Sequence, residues 1–310
     1  IAIKKFYIWE YKNKSVNFKK TPNTNINYSL NFFSKTLNTL RNIKDEFMHG
    51  KVIKSEVELW KEIQWKMLEK KLIEVPSLDI IMKSRPAWEI GWDSYDIIQQ
   101  DNMYYIYVWD ATWHWVWAWF IMIMVNALIS SLAKIFKSWS IILTKTNEVL
   151  KPRVKANLLM SLLLLRWDEK EKRIFMTWAW HEYLMIYKAK ENKTYKIKSG
   201  WIALWMIKDI SKILKEKEIK IEKNDIVVMY SDWITEAINK PKKDWSENMF
   251  WEDRLIEAIE KAPEWNKKIK TASSVFNNIT IELSKFMWYN HCQLDDVTLA
   301  VIHYRWEELE

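Results

Sequence analysis

The sequence predicts an α+β fold in which strands and helices form stacked layers. Short β-rich runs bounded by turn residues indicate strands, and apolar residues at three- and four-residue spacing indicate helices. The helices stand singly among several strands, which favours a layered α+β domain over a regular βαβ alternation. A chain of 310 residues with 49% hydrophobic residues can bury a substantial core.

The N-terminal quarter of the chain differs from the rest. Residues 1–28 are polar and rich in Lys and Asn, so we expect an irregular linker. Apolar residues recur at helical spacing across 29–75, which predicts a helical linker that stops before Pro76. This helix would either form a coiled coil in a homodimer or pack on its own domain, and the sequence leaves both open. Residues 76–310 are expected to form the main domain.

Six runs of high β-propensity are the strongest strand predictions. They are residues 104–110, 157–166, 173–177, 183–188, 225–232 and 297–305. Apolar periodicity predicts helices over residues 114–137, 147–155, 250–261 and 273–287.

Residues 115–133 carry no charged side chain and are about long enough to cross a bilayer. The segment follows closely on a predicted strand that ends at Asp110, and it contains the polar residues Asn126, Ser130 and Ser131. A membrane-spanning helix would rarely begin so soon after a strand. We therefore predict a buried core helix.

Charge and cysteine content exclude some classes of protein. The net charge of +8 is spread along the chain and accompanies no recognised nucleic-acid-binding module, so we expect no nucleic-acid partner. Cys292 is the single cysteine, which excludes a disulfide framework and a cysteine zinc site within the chain. A lone cysteine fits a reducing compartment, and we expect a cytoplasmic protein.

Tryptophan stands at many positions where glycine is expected. The chain has 22 Trp and 3 Gly, whereas proteins ordinarily contain about 7% Gly. Pairs such as Asp232-Trp233 and Asp244-Trp245 have turn character only if the second residue is glycine. We hypothesise that UGA codons that encode glycine have been translated as tryptophan. The alternative is a genuinely Trp-rich chain, such as an aromatic-rich membrane protein, and UGG codons throughout would support it.

Acidic residues lie at or beside the predicted strands. Asp110 and Asp232 each close an apolar run, Asp295 and Asp296 open one, and Asp93 stands near another. A single aspartate at such a place is more often a turn residue than a ligand. Several on rigid strands favour a site for a hard divalent cation such as Mg²⁺ or Mn²⁺, because gathered carboxylates repel one another unless a cation lies between them.

Several segments resemble one family once glycine is restored. Residues 104–120 become YYIYVGDATGHGVGAGF, residues 86–96 become PAGEIGGDSYD, residues 225–237 become DIVVMYSDGITEA, and residues 295–298 are DDVT. These motifs, in this order, resemble those of bacterial PPM (protein phosphatase 2C-like) phosphatases, in the branch of sporulation protein E and the stress-response phosphatases. Weaker similarities lie at residues 62–68, 177–181, 200–206 and 250–255.

The resemblance implies a four-layer α-β-β-α sandwich of two antiparallel sheets flanked by helices, preceded by a helical N-terminal extension. It also implies that a hydroxide activated between two Mn²⁺ or Mg²⁺ ions hydrolyses phosphoserine or phosphothreonine. From the family's motifs, Asp110 would bridge the ions and Asp232 and Asp295 would complete one site. Asp93 and the backbone carbonyl of Ala111 would hold the other ion.

Four further residues of these motifs have roles that the resemblance leaves less defined. His114 either acts as a general acid or braces its turn, and Asp296 either binds metal or orients its neighbour. His181 and Glu236 are expected to be structural.

In this branch the usual substrate is a small phosphorylated regulator, such as an anti-sigma-factor antagonist. The resemblance therefore implies a signalling role and a phosphorylated regulatory protein as partner. The alternative is a catalytically silent scaffold of the same fold that binds a partner through its N-terminal helix. A membrane anchor is expected only in a region upstream of the chain.

Overall fold

Strands and helices both contribute to the part of the chain that the structure describes. In the computed structural model these residues are 62, 73–87, 91–111, 116–154, 159–179, 183–198, 203–214, 216–239, 249–264, 269–287, 293 and 295–305. The strands are β1 (Leu78–Arg85), β2 (Ser94–Gln100), β3 (Met103–Ala111), β4 (Met160–Asp168), β5 (Arg173–Ala179), β6 (Tyr183–Lys188), β7 (Lys193–Lys198), β8 (Lys217–Ile219), β9 (Ile226–Tyr230) and β10 (Val297–Tyr304). The helices are α1 (Val116–Leu132), α2 (Trp139–Leu150), α3 (Trp233–Glu236), α4 (Trp251–Glu260) and α5 (Ala272–Phe286).

The strands form two five-stranded sheets. One sheet has the order β1-β10-β9-β6-β7 and the other has the order β2-β3-β4-β5-β8. All the strand pairs are antiparallel. For convenience, the first is called sheet A and the second sheet B. This arrangement confirms the predicted α+β class with two antiparallel sheets.

Three hydrophobic clusters show how the layers stack. Alternate residues of β3, such as Ile106, pack with residues of sheet A, such as Ile302, in a cluster between the two sheets. The intervening residues of β3, such as Tyr107, pack against α1 and α2 on the outer face of sheet B. The outer face of sheet A, including Val228, packs against α4 and α5. The layers are therefore helices, sheet B, sheet A and helices, which is the predicted four-layer sandwich.

The six predicted strands are the six interior strands of the sheets. The run 183–188 matches β6 in full, and the run predicted over 225–232 ends earlier, at Tyr230. The prediction missed β1, β2, β7 and β8, which are the four edge strands. Edge strands pair on one side only and carry more polar residues. Strand β7, for example, has the sequence KTYKIK and is largely exposed, so its apolar signal is weak.

Three of the four predicted helices agree with α1, α4 and α5 within a few residues, although α1 ends before the predicted residue 137. The fourth prediction, over 147–155, is wrong at its start because α2 begins at Trp139. Asn147 lies inside this helix and is buried. Its side chain bonds to the loop that contains Trp205, so a residue expected to open a helix instead binds a distant segment.

Within the apolar segment 115–133, residues 116–132 form helix α1, as predicted for a core helix. Buried residues such as Ile121, Val125 and Ile129 pack against the outer face of sheet B. Among the described residues, no helix is both long and apolar enough to cross a membrane.

The predicted linker and most of the predicted N-terminal helix lie outside the described residues. Glu62 is helical, and Leu78 N donates a hydrogen bond to Val75 O at 3.1 Å at the start of β1. The domain boundaries and the coiled coil therefore stay predictions.

Candidate active site

Four candidate carboxylates lie where strands of the two sheets begin or end. Asp110 is the penultimate residue of β3, and Asp93 directly precedes β2, whose first residue pairs with Trp109. In sheet A, Asp232 follows the end of β9 and Asp295 precedes the start of β10. These two strands are hydrogen-bonded neighbours, and Tyr230 pairs with Leu299, so both aspartates lie at the same end of sheet A.

The candidate carboxylates influence one another electrostatically. Burial raises the pKa of Asp110 well above its ordinary value, and the charges of Asp93, Asp232 and Asp295 raise it further. Burial also raises the pKa of Asp93, with added contributions from Asp296 and Asp232. Carboxylates from both sheets therefore repel one another at one end of the sandwich, and a cation between them would relieve that repulsion.

The side chains as placed do not form a complete metal cage. Within the described ranges, no three His, Cys, Asp or Glu side chains converge closely enough to hold a metal ion. One feature nevertheless fits a ligand. Asp93 is 2% exposed, and its Oδ2 atom has no hydrogen-bond partner among the described residues. An unpaired buried carboxylate oxygen is costly unless a cation or donor completes it, and oxygen donors suit Mg²⁺ and Mn²⁺.

Asp296 has a different environment from the other aspartates. Its carboxylate accepts hydrogen bonds from three backbone N–H groups, those of Ala87, Trp92 and Asp93. Its own N–H donates to Asp295 Oδ1 at 2.8 Å. The sequence suggested that Asp296 binds metal or orients Asp295, and it missed the bonds to the segment before β2. These partners are about two hundred residues away in sequence, so no local signal could reveal them.

The remaining predicted site residues are placed only in part. Ala111 ends β3, is buried, and pairs with Met160 of β4; metal binding by its carbonyl oxygen stays a prediction. His114 and His181 lie outside the described residues, so their roles also stay predictions. Glu236 closes the short helix α3, and both partial burial and the charge of Asp295 raise its pKa.

Two buried hydroxyl groups beside the carboxylates were not singled out from the sequence. Ser231 and Thr298 are essentially unexposed, and both lower the pKa of Asp93 against the larger, opposite effect of its burial. Thr298 N donates to Ser231 Oγ at 2.9 Å, which joins β10 to the residue after β9. Both hydroxyls belong to the motifs that contain Asp232 and Asp295, and those motifs were the signal that could have identified them.

Three tryptophans lie directly beside candidate ligands in sequence. Trp92, Trp109 and Trp233 are all buried. The indole N–H groups of Trp109 and Trp233 have no hydrogen-bond partner among the described residues. Buried indoles usually find a partner, so the side chains of Trp109 and Trp233 each add an unsatisfied polar group to the described part of the protein.

Solved structures with the same layered fold are PP2C phosphatase domains and related proteins. The SiaA PP2C domain of Pseudomonas aeruginosa matches with a TM-score of 0.63 at 15% identity, covering 87% of this chain and 99% of that chain. The PP2C domain of SpoIIE from Bacillus subtilis, with a fragment of its regulatory domain, matches with a TM-score of 0.58 at 13% identity, covering 76% and 64%. RsbX in complex with magnesium matches with a TM-score of 0.54 at 11% identity, covering 75% and 98%. The fold is that of PP2C-type phosphatase domains.

Sequence comparison identifies the family within that class. The model of stage II sporulation protein E (SpoIIE) matches residues 100–305, which is more than half of the chain. The chain therefore belongs to the SpoIIE family of PP2C-type serine/threonine phosphatase domains. The phosphoserine phosphatase RsbU of Bacillus subtilis (strain 168) is 26% identical over 199 residues, which cover 64% of this chain. The aligned part spans 57% of RsbU.

Proposed function

We propose that this domain hydrolyses phosphoserine or phosphothreonine in a partner protein with the help of two divalent metal ions. The observation that carries the proposal is the position of Asp93, Asp110, Asp232 and Asp295 at strand ends of both sheets, where their charges act on one another. Membership of the SpoIIE family supports the phosphatase activity. The magnesium in the RsbX structure supports a divalent ion.

The proposed ligands come from both sheets. Asp110 would bridge the two ions, Asp232 and Asp295 would complete one site, and Asp93 with the carbonyl oxygen of Ala111 would complete the other. When bound, Mn²⁺ or Mg²⁺ lowers the pKa of a coordinated water and offsets negative charge on the phosphoryl oxygens.

The protein's own residues supply position and environment. Burial of Asp93 and Asp110 excludes water from their carboxylates, which strengthens their attraction for a cation. The hydroxyls of Ser231 and Thr298 favour the ionised form of Asp93. His114 would either donate a proton to the leaving oxygen or brace the turn after β3.

The proposed substrate is a phosphorylated regulatory protein, in the manner of an anti-sigma-factor antagonist. The similarity to RsbU, a phosphoserine phosphatase, supports a phosphoserine substrate. The proposed setting is the cytoplasm, and the lone Cys292 fits a reducing compartment.

A catalytically silent scaffold is the second candidate. The observation in its favour is that, in the part of the chain that the structure describes, no three potential ligands converge at metal-binding distance. Such a scaffold would bind a partner without turning over phosphate, whereas all the aspartates expected as ligands are present in this chain.

Metal-dependent hydrolysis of p-nitrophenyl phosphate separates the two candidates. The protein to use is the glycine form, in which glycine replaces tryptophan wherever the coding codon is UGA. We expect turnover that requires Mn²⁺ or Mg²⁺. In Asp110→Asn the turnover rate should fall at least about a hundredfold, because that change removes the negative charge proposed to hold both ions.

The matched control is Asp253→Asn, since Asp253 is an exposed aspartate on α4 outside the site. This variant should keep full activity. Retained activity in Asp110→Asn would remove Asp110 from the proposed role, and a folded glycine form without any turnover would favour the scaffold.

A further inference from the structure

The carboxylate of Asp296 is fully engaged with backbone donors. Its Oδ1 atom accepts from Ala87 N at 2.8 Å, and its Oδ2 atom accepts from Asp93 N at 3.0 Å and also from Trp92 N. The side chain is 1% exposed. Several N–H groups directed at one carboxylate make a strong, charge-assisted arrangement, so these bonds fix the position of the segment that leads into β2.

Gly91 allows this segment to approach Asp296. A Cβ atom at position 91 would lie 2.8 Å from Asp296 Oδ2 and 3.1 Å from Pro86 Cβ. The first of these distances is shorter than carbon–oxygen contacts allow, so a side chain here would push the segment away from the carboxylate. The backbone and the carboxylate therefore fit together only because residue 91 lacks a side chain.

The backbone of Asp296 is itself held in sheet A. Ser231 Oγ donates to Asp296 O at 3.2 Å, and Thr298 N donates to Ser231 Oγ at 2.9 Å. Asp93, at the other end of the interaction, directly precedes β2 of sheet B. The Asp296 side chain therefore connects the two sheets at the end where the candidate ligands gather.

We propose that Asp296 is a positioning residue rather than a metal ligand, and that it sets Asp93 of sheet B against Asp232 and Asp295 of sheet A. The proposal rests on the proposed function for the identity of the ligands. Its structural part, that the carboxylate of Asp296 holds the segment before β2, does not depend on metal or on catalysis.

Amide hydrogen exchange of the metal-free glycine form, kept in EDTA, tests that structural part. We expect the backbone amides of residues 87, 92 and 93 to be protected. In Asp296→Asn one acceptor oxygen becomes an N–H₂ donor, so exchange at these amides should rise at least about tenfold. Isothermal titration with Mn²⁺ should show weaker binding by the same variant, since Asp93 is then less well placed.

Asp295→Asn is the matched control. Its amide oxygen can still accept from the N–H of residue 296, so exchange at residues 87, 92 and 93 should stay unchanged while Mn²⁺ binding weakens. If Asp296→Asn weakens Mn²⁺ binding but leaves exchange at the three amides unchanged, Asp296 acts as a ligand and the proposal is overturned.

Two further measurements cover the case in which Asp296→Asn does not fold. Gly91→Ala should loosen the same amides, because the added Cβ displaces the segment from Asp296. Unprotected amides at 87, 92 and 93 in the unmutated metal-free protein would also overturn the proposal. Since exchange requires no turnover, a glycine form without phosphatase activity would count against the proposed function and leave this measurement intact.

Discussion

At the scale of single residues, two tryptophans in the described part of the chain occupy a backbone conformation that suits glycine. Trp205 has a φ of 66° and Trp251 has a φ of 50°, in the left-handed region that residues with a Cβ rarely adopt. Trp205 is also buried with an indole N–H that has no partner among the described residues. These features support glycine at positions 205 and 251, and UGA codons there would agree with the hypothesis.

Replacement of Trp251 tests this hypothesis at one position. Because φ is positive, we expect Trp251→Gly to be about 1 kcal/mol more stable than Trp251→Ala. Urea unfolding measures the difference. The control is Asp253 in the same helix, where the order should reverse and alanine should be more stable than glycine by about 1 kcal/mol. Equal stability of the two position-251 variants would contradict the backbone argument.

The buried carboxylates predict how stability depends on pH when metal is absent. Burial, followed by neighbouring negative charge, raises the pKa of Asp93 and of Asp110. A carboxyl group with a raised folded-state pKa binds its proton more tightly when folded. Its contribution to stability is complete below the unfolded pKa, about 4, and is lost as pH rises through the raised value.

We therefore expect the contribution of Asp93 and Asp110 to the unfolding free energy of the glycine form in EDTA to fall as pH rises above about 4. Urea titrations at a series of pH values measure it. Asp110→Asn carries no charge at this position and should show a smaller decline. The same decline in both proteins would show that Asp110 does not contribute.

At the scale of secondary-structure elements, helix α2 holds the loop that follows β7. The Asn147 side chain accepts from Trp205 N at 2.8 Å and donates to Ile207 O at 3.1 Å and Lys208 O at 3.0 Å. This one amide group therefore satisfies three backbone groups of residues 205–208, which form no regular helix or strand.

We expect Asn147→Ala to destabilise the protein by about 1–3 kcal/mol, because it leaves a buried backbone N–H without its partner. Denaturant unfolding is the measurement. Asn277→Ala, at an exposed position on α5, should change stability by less than about 0.5 kcal/mol. A loss at Asn147 no larger than at Asn277 would show that water replaces the three bonds.

At the scale of the whole molecule, the candidate ligands come from both sheets, so a bound ion would join the two halves of the sandwich. Ions that bind only the folded protein stabilise it, by about 2.7 kcal/mol at a free concentration one hundred times Kd. We expect Mn²⁺ to raise the unfolding midpoint of the glycine form accordingly.

Thermal unfolding with increasing Mn²⁺ measures this effect without any substrate. The rise should persist in Asp253→Asn and be largely lost in Asp110→Asn. A rise of equal size in both variants would place the stabilising ion outside the proposed site.

The glycine hypothesis also predicts how the chain behaves when it carries tryptophan at every position where the printed sequence has it. Indoles around the carboxylates would crowd the site, so we expect this form not to give an active enzyme. Full metal-dependent turnover by the literal sequence would contradict the hypothesis.

The sequence by itself determined the six interior strands and three of the helices, and its motifs named the aspartates that are proposed as ligands. Interior strands are buried on both faces, so their apolar runs are visible locally, and the aspartates stand in motifs next to them. Tertiary structure alone decided the four edge strands, the start of α2 and the bonds of Asp296. An edge strand is held by hydrogen bonds to a single neighbouring strand. Asn147 and Asp296 form hydrogen bonds to segments that are far away in the sequence. Such contacts leave no periodic pattern because they depend on where the folded backbone brings its N–H groups.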